Sequence, residues 1–186
     1  MPKIYVAAGH SANTEGERLY EFEKCRVAQE YLAQLLRWAG NTVIEPPQDI
    51  YDQVNDSALR AKIGQCNAAE CDLAVELHLN AGGGKYATNI FFDNLERGTT
   101  SEKGEELAER ISSAMEEILP WPCYWNPQSH YGRSLAFLNQ TKCTAVITEP
   151  AFKDTPEHRQ WIDTPRSMVD YATSVYMGIV AYLYQQ

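Results

Sequence analysis

The chain has 186 residues, of which 44% are hydrophobic and 22% are charged, and its formal net charge at pH 7 is −9. This length and composition are typical of one globular domain with a substantial core. The acidic excess argues against a nucleic-acid-binding protein and against adhesion to anionic membranes, because both functions use basic surfaces.

Five cysteines are present, an odd number, and no C-x-x-C motif occurs. A chain of this size can bury enough apolar surface to fold without disulfides, so we expect all five to be reduced. No secretory signal precedes the first predicted strand, and no apolar run is long enough to cross a bilayer. The sequence therefore predicts a protein that is synthesised in the cytoplasm and has no membrane span.

Predicted strands and helices alternate along the chain. Hydrophobic patterning predicts strands at residues 4–8, 42–44, 73–77, 88–92, 134–138 and 144–148. It predicts helices at 23–39, from 56 or 57 to 70, at 101–119 with Ser101 as the cap, and at 165–184. The segments 48–56 and 120–132 are interpreted as loops. This order predicts an α/β fold, a single three-layer domain over residues 1–186 in which helices flank a mostly parallel sheet.

Polar side chains follow three of the predicted strands. His10 follows the first strand, His78 follows strand 73–77 and Glu149 follows strand 144–148. If these strands are parallel, their carboxyl ends meet at one edge of the sheet, where ligands of α/β proteins bind. The loop after His10 leads into the first helix, which brings further carboxylates to this edge. These carboxylates are Glu15, Glu17, Glu21 and Glu23.

Two histidines and one carboxylate form the ligand set of many catalytic zinc sites, in which a fourth position stays open for water. A second carboxylate that does not bind the metal can take a proton from water and deliver it to a leaving amine. His10, His78, one acid of the first helix and Glu149 fit this pattern. Spacing alone does not choose among the helix acids. Each residue taken singly also fits an ordinary role at a turn, a helix start or a strand end.

Four segments of the chain resemble the zinc-dependent N-acetylmuramoyl-L-alanine amidases of the Amidase_3 family, and are most similar to the variants found in phage endolysins. The segments are VAAGHS (6–11), YEFEKCRVAQEYLAQLLRWAGNTV (20–43), DLAVELHLNA (72–81) and LAFLNQTKCTAVITEPAFKDTPE (135–157).

The resemblance implies that His10, Glu21 and His78 bind zinc and that Glu149 is the catalytic glutamate. It also implies hydrolysis of the amide bond between N-acetylmuramic acid and L-alanine in the peptidoglycan stem peptide. Within the family motif, the spacing to the glycine that ends the first helix favours Glu21 over Glu23.

The chain departs from the family at its opening motif, where Ala7-Ala8 precede Gly9-His10 and Ser11-Ala12 follow, and at Ala151, where the family often has glycine. These changes retain the ligands and the base but affect the surroundings of the substrate. Asn80, Arg133 and the aromatic segment 121–131 are interpreted as candidates for the substrate groove.

Two other functions fit the same residues. One is hydrolysis of a different amide or peptide by the same zinc site, and the other is a non-catalytic wall-binding module with the same fold. A phage or prophage lysin that reaches peptidoglycan during lysis is consistent with the lack of a predicted export signal.

Overall fold

The computed structural model describes residues 1–184. The helices are α1 (Gly16–Trp38), α2 (Gln48–Tyr51), α3 (Asn55–Ala68), α4 (Glu102–Glu116), α5 (Ala136–Gln140), α6 (Pro156–Ile162) and α7 (Ser167–Tyr184), with a 3₁₀ turn at Gln128–Tyr131. The strands are β1 (Lys3–Ala8), β2 (Thr42–Ile44), β3 (Leu73–Leu77), β4 (Ala87–Phe91), β5 (Asp93–Asn94), β6 (Thr99–Thr100), β7 (Cys123–Pro127) and β8 (Thr144–Glu149). Within these residues, no helix combines the length and the apolar character that a membrane span requires.

Six strands form the central sheet, in the order β2-β1-β3-β8-β4-β7. The first four of these run parallel to one another, whereas β4 is antiparallel to β8 and β7 is parallel to β4. Ala8, Leu77 and Thr148 lie in register where β1, β3 and β8 end. The prediction of a mostly parallel sheet is confirmed, and the loops that follow these three strands leave the sheet side by side.

Helices cover both faces of the sheet because successive side chains of a strand point to opposite faces. Val6 and Val75 share one core with residues of α1, α4 and α7. Tyr5 and Ala74 share a second core with residues of α3 and α5. The predicted three-layer α/β architecture is therefore confirmed. All five cysteines are free thiols, as expected.

Two sequence interpretations of the second half of the chain are wrong. The segment 134–138 was expected to be a strand, but helix α5 occupies most of it, and the adjacent side chains of Phe137 and Leu138 are both buried. A short apolar run does not distinguish a strand from a helix by its period. The interpreted loop 120–132 contains β7, an edge strand whose pairing with β4 stabilises a proline-rich sequence with little strand character.

Helix boundaries differ from the prediction where no capping signal marks them. Helix α1 begins at Gly16 rather than at residue 23, and its N-cap, Glu15, makes no side-chain hydrogen bond. Helix α2 lies in the segment 48–56 that was interpreted as a loop, and helix α6 lies between the predicted strand 144–148 and the predicted helix 165–184, where no element is predicted. By contrast, Ser101 caps α4 as predicted, with its Oγ accepting a hydrogen bond from the Gly104 N–H at 3.1 Å.

Helices α4 and α7 pack closely at Gly178, where a Cβ would overlap the backbone of Ile111. We expect Gly178→Ala to lower the free energy of unfolding by about 2 kcal/mol, because overpacking a tight contact costs about 1–3 kcal/mol. Gly64→Ala in α3 is the matched control, since no atom lies near its added Cβ. This control should be neutral or stabilising by up to about 1 kcal/mol. Urea titration measures both changes, and an equal effect of the two variants would contradict the close packing.

Candidate metal centre and active site

Glu21 is a buried carboxylate in the second turn of α1, with 1% of its surface exposed. Its Oε1 accepts a hydrogen bond from the Leu79 N–H at 3.0 Å and lies 2.9 Å from His78 Nδ1 and 3.2 Å from His10 Nε2. Its Oε2 pairs with the ammonium group of Lys153. The carboxylate thus joins the loops that follow β1, β3 and β8.

The Gly9-His10 pair forms a tight exit from β1. The Gly9 N–H donates to the Leu77 carbonyl at 2.7 Å, and a Cβ on Gly9 would overlap the imidazole of His78. His10 has a φ of 60°, in the left-handed region that is uncommon for residues other than glycine. Such conformations cluster at functional sites. The imidazoles of His10 and His78 pack edge to face, with ring centroids 5.2 Å apart.

The donor set of this cluster fits a zinc ion. One ligand atom from each of His10, Glu21 and His78 lies within 4.8 Å of the other two, the one such cluster of metal-binding side chains found in residues 1–184. Atoms that share a tetrahedral zinc ion at about 2.0–2.1 Å lie about 3.3 Å apart. The distances of 2.9 and 3.2 Å from Glu21 Oε1 are close to this separation. The three predicted ligands are therefore brought together in a geometry suited to one ion.

Burial and hydrogen bonding act against each other on the ionisable groups of the cluster. Burial opposes ionisation of Glu21, but hydrogen bonds from His10 and His78 outweigh it and hold the pKa of Glu21 well below its usual range. Burial likewise opposes protonation of His78, but hydrogen bonds to Glu21 and Glu76 raise its pKa to about 10. In the metal-free protein the imidazole of His78 is therefore a cation between two carboxylates.

Glu149 ends β8 and lines the same cavity as the three predicted ligands, a cavity of about 420 Å³. Burial raises the pKa of Glu149 to about 7, although the charge of His78 acts in the opposite direction. The pKa values of Glu21 and Glu149 are thus displaced in opposite directions within one site. This arrangement is typical of sites in which one carboxylate stays ionised and another transfers protons near neutral pH.

Asn80 and Arg133 also line this cavity. The backbone of Asn80 pairs with Ala151 and Lys153, at N···O distances of 2.8 and 2.9 Å, and so ties the loop after β3 to the loop after β8. The residues of the aromatic segment 121–131 lie outside the cavity lining. Trp121 instead stacks on His158, with ring centroids 3.9 Å apart.

Three charged residues at the site had no role in the sequence interpretation: Lys62, Glu76 and Lys153. A signal existed for Glu76, which is the one charged residue within the otherwise apolar strand β3. No signal marked Lys62 or Lys153, because lysines in helices and loops are mostly exposed unless they are paired. Both become recognisable only when the structure shows Lys62 buried against Glu76 and the partly buried Lys153 paired with Glu21.

The family model of Amidase_3, described as N-acetylmuramoyl-L-alanine amidase, matches residues 4–181 of the chain. The chain belongs to the Amidase_3 family. A comparison with curated protein sequences finds no match. Membership of Amidase_3 confirms the family inferred from the four sequence segments, and it assigns peptidoglycan amidase activity to the chain.

Several solved structures share the fold of this chain. The catalytic domain of the CD27L endolysin, which targets Clostridia difficile, aligns with a TM-score of 0.73 and 25% identity, covering 97% of each chain. The CwlD amidase from Clostridioides difficile, solved in complex with the GerS lipoprotein, aligns with a TM-score of 0.81 and 16% identity over the full length of both chains. The catalytic domain of the CwlV amidase from Bacillus (Paenibacillus) polymyxa has a TM-score of 0.78 and 13% identity, with 98% of each chain covered.

The raised pKa of Glu149 predicts a stability change that depends on pH. Its pKa of about 7 in the folded protein lies above the ordinary value of 4.5 for a glutamate, so ionisation destabilises the fold as the pH rises through this window. Glu149→Gln should therefore stabilise the metal-free protein by about 1–3 kcal/mol at pH 8.5 and have little effect at pH 4. Urea unfolding in the presence of a chelator measures the difference. A stabilisation of the same size at both pH values would rule out ionisation as its cause.

Proposed function

We propose that the protein is a zinc-dependent N-acetylmuramoyl-L-alanine amidase that cleaves the amide bond between N-acetylmuramic acid and L-alanine of the stem peptide. The observation that carries this proposal is the cluster of His10, Glu21 and His78 beside Glu149 in one cavity. This combination provides three metal ligands and a separate carboxylate, as hydrolysis of an amide by a zinc enzyme requires.

His10, Glu21 and His78 would hold the ion, and when bound it supplies Lewis acidity that activates water and polarises a carbonyl group. The protein restrains the ligand carboxylate before any ion arrives. The Leu79 N–H holds one oxygen of Glu21 and the ammonium of Lys153 pairs with the other. Preorganised ligands reduce the entropy that is lost when a metal binds.

In this proposal Glu149 transfers the protons of the reaction. Its carboxylate takes a proton from the attacking water, and the resulting carboxylic acid protonates the departing amine of L-alanine. A pKa near 7 suits both steps, because the group then releases and accepts protons readily at neutral pH. Burial in the cavity is the physical cause of this pKa.

Asn80 and Arg133 are proposed to bind the substrate. Both line the cavity that Glu149 also lines. A guanidinium group forms strong paired hydrogen bonds with carboxylates, so Arg133 is suited to bind an acidic group of the stem peptide. The amide of Asn80 lies on the loop that directly follows the ligand His78 and is suited to a peptide carbonyl or amide of the substrate.

We further propose that the protein acts on the cell wall as a lytic enzyme, after release during lysis. The 25% identity with an endolysin catalytic domain, over 97% of both chains, supports this role. Purified protein added to cell-wall suspensions should lower their turbidity. Expression inside bacteria should cause lysis only when the membrane is permeabilised, and lysis without permeabilisation would contradict the need for release.

We expect Glu149→Gln to retain zinc and to lower the rate of amide cleavage at least about 100-fold, because general acid–base catalysis contributes about 10²–10⁴. His78→Ala should lose zinc as well as activity, because two ligands remain. Mass spectrometry of muropeptides measures cleavage, and metal analysis of the purified proteins measures zinc.

Glu117→Gln is the matched control, because it removes an exposed carboxylate at the end of α4. It should change neither zinc content nor rate. A wild-type protein that holds no zinc and is unaffected by a chelator would contradict the metal site. Full activity of Glu149→Gln would contradict the assigned base, and products cut at another amide would favour a different substrate.

A further inference from the structure

Glu76 is a buried charge in the middle of the sheet. It lies on β3 between Ala7 of β1 and Ile147 of β8, and 3% of its surface is exposed. An unpaired carboxylate in such a position would cost several kcal/mol. Glu76 has two partners: its Oε1 lies 2.6 Å from Lys62 Nζ and its Oε2 lies 3.1 Å from His78 Nε2.

Lys62 reaches Glu76 from α3 and is also almost fully buried, with 1% of its surface exposed. Its ammonium group donates to the carbonyl of Ala8 at 2.8 Å and approaches the carbonyl of His10 at 3.4 Å. The three N–H donors of the ammonium therefore face the carboxylate, the end of β1 and the loop that carries His10. One buried lysine links both histidine-bearing segments.

The two ring nitrogens of His78 face different carboxylates. Nδ1 lies 2.9 Å from Glu21 Oε1 and so faces the cluster of predicted ligands. Nε2 faces Glu76, which is outside this cluster. A neutral imidazole carries one proton, so a hydrogen bond from Nε2–H to Glu76 leaves the lone pair on Nδ1. When His78 gives up the proton of Nδ1 to bind a metal, Glu76 thus retains the other proton on Nε2, and the free lone pair lies on Nδ1.

We propose that Lys62 and Glu76 form a positioning pair that fixes the tautomer and the orientation of His78 for metal binding. This inference rests on the proposed function, because it assigns to His78 the role of a zinc ligand. Carboxylates that accept a hydrogen bond from a ligating histidine commonly strengthen metal binding. Lys62 balances the charge of Glu76, so the contribution of the pair lies in orienting the imidazole rather than in adding negative charge.

The test compares two double variants with the wild type. Glu76→Leu with Lys62→Met replaces the buried pair by apolar side chains of similar volume, which often leaves stability unchanged or improved. Glu76→Gln with Lys62→Met also removes both charges, but it retains an oxygen that can accept the hydrogen bond from Nε2–H. The two variants therefore differ in the acceptor offered to His78.

We expect the Leu/Met variant to fold and to bind zinc about 10- to 100-fold more weakly than the wild type. The Gln/Met variant should recover most of this loss. Chelator competition measures zinc affinity, the visible spectrum of the cobalt-loaded protein reports the ligand geometry, and thermal unfolding with chelator reports stability. Ser112→Ala is the matched control, because it removes a buried hydrogen bond of 2.8 Å from Asn89 on the opposite face of the sheet. This control should lose stability and keep its zinc affinity.

A Leu/Met variant whose zinc affinity and cobalt spectrum equal those of the wild type would overturn the positioning role. So would a Gln/Met variant that binds zinc as weakly as the Leu/Met variant. If Leu/Met fails to fold, ¹⁵N chemical shifts of His78 in the zinc-loaded wild type decide the question. A proton on Nε2 supports the pair, whereas a proton on Nδ1 overturns it. A wild type that binds no zinc would overturn the proposed metal site together with this inference. If the wild type binds zinc and the Leu/Met variant binds it equally tightly, this inference alone would be overturned.

Discussion

The burial of Glu21 is the constraint on which the site depends. A carboxylate with 1% exposure stays ionised only if hydrogen-bond donors or cations replace its water. His10, His78 and Lys153 supply them from three different loops, and each loop follows a different parallel strand. Loss of any one partner would leave part of the negative charge unsatisfied in the interior. Folding of this edge of the sheet and assembly of the predicted ligands are therefore energetically coupled.

The parallel order of β1, β3 and β8 makes this convergence possible. Because Ala8, Leu77 and Thr148 are in register, the residues that follow them leave the sheet at one level. The close approach of Gly9 to the imidazole of His78 then leaves no space for a larger side chain. The next strand in the sheet, β4, is antiparallel to β8. In the sheet order, β8 is therefore the last of the consecutive parallel strands whose carboxyl ends lie at the site.

Glu21 and Glu149 differ in pKa because their surroundings in the site differ. Both are carboxylates near the same cavity, but Glu21 receives hydrogen bonds from two imidazoles and stays ionised. Burial dominates at Glu149, which accordingly titrates near neutrality. In the proposed reaction the first carboxylate binds the metal and the second transfers protons. The same logic extends to Glu76, whose charge is balanced by Lys62 and whose second oxygen orients His78.

The sequence by itself determined the α/β class, the strands that end at His10, His78 and Glu149, and the family, because alternating apolar periods and strand-end motifs are local signals. It did not determine α5, β7 or the start of α1, where burial or pairing with distant segments overrides weak local preference. The spacing within the family motif favoured Glu21 over Glu23, but only the tertiary structure shows that the carboxylate of Glu21 reaches both histidines. It alone also placed Lys62, Glu76 and Lys153 at the site. The reason is physical: a buried charge is stabilised by partners far away in the chain, and no local pattern records those partners.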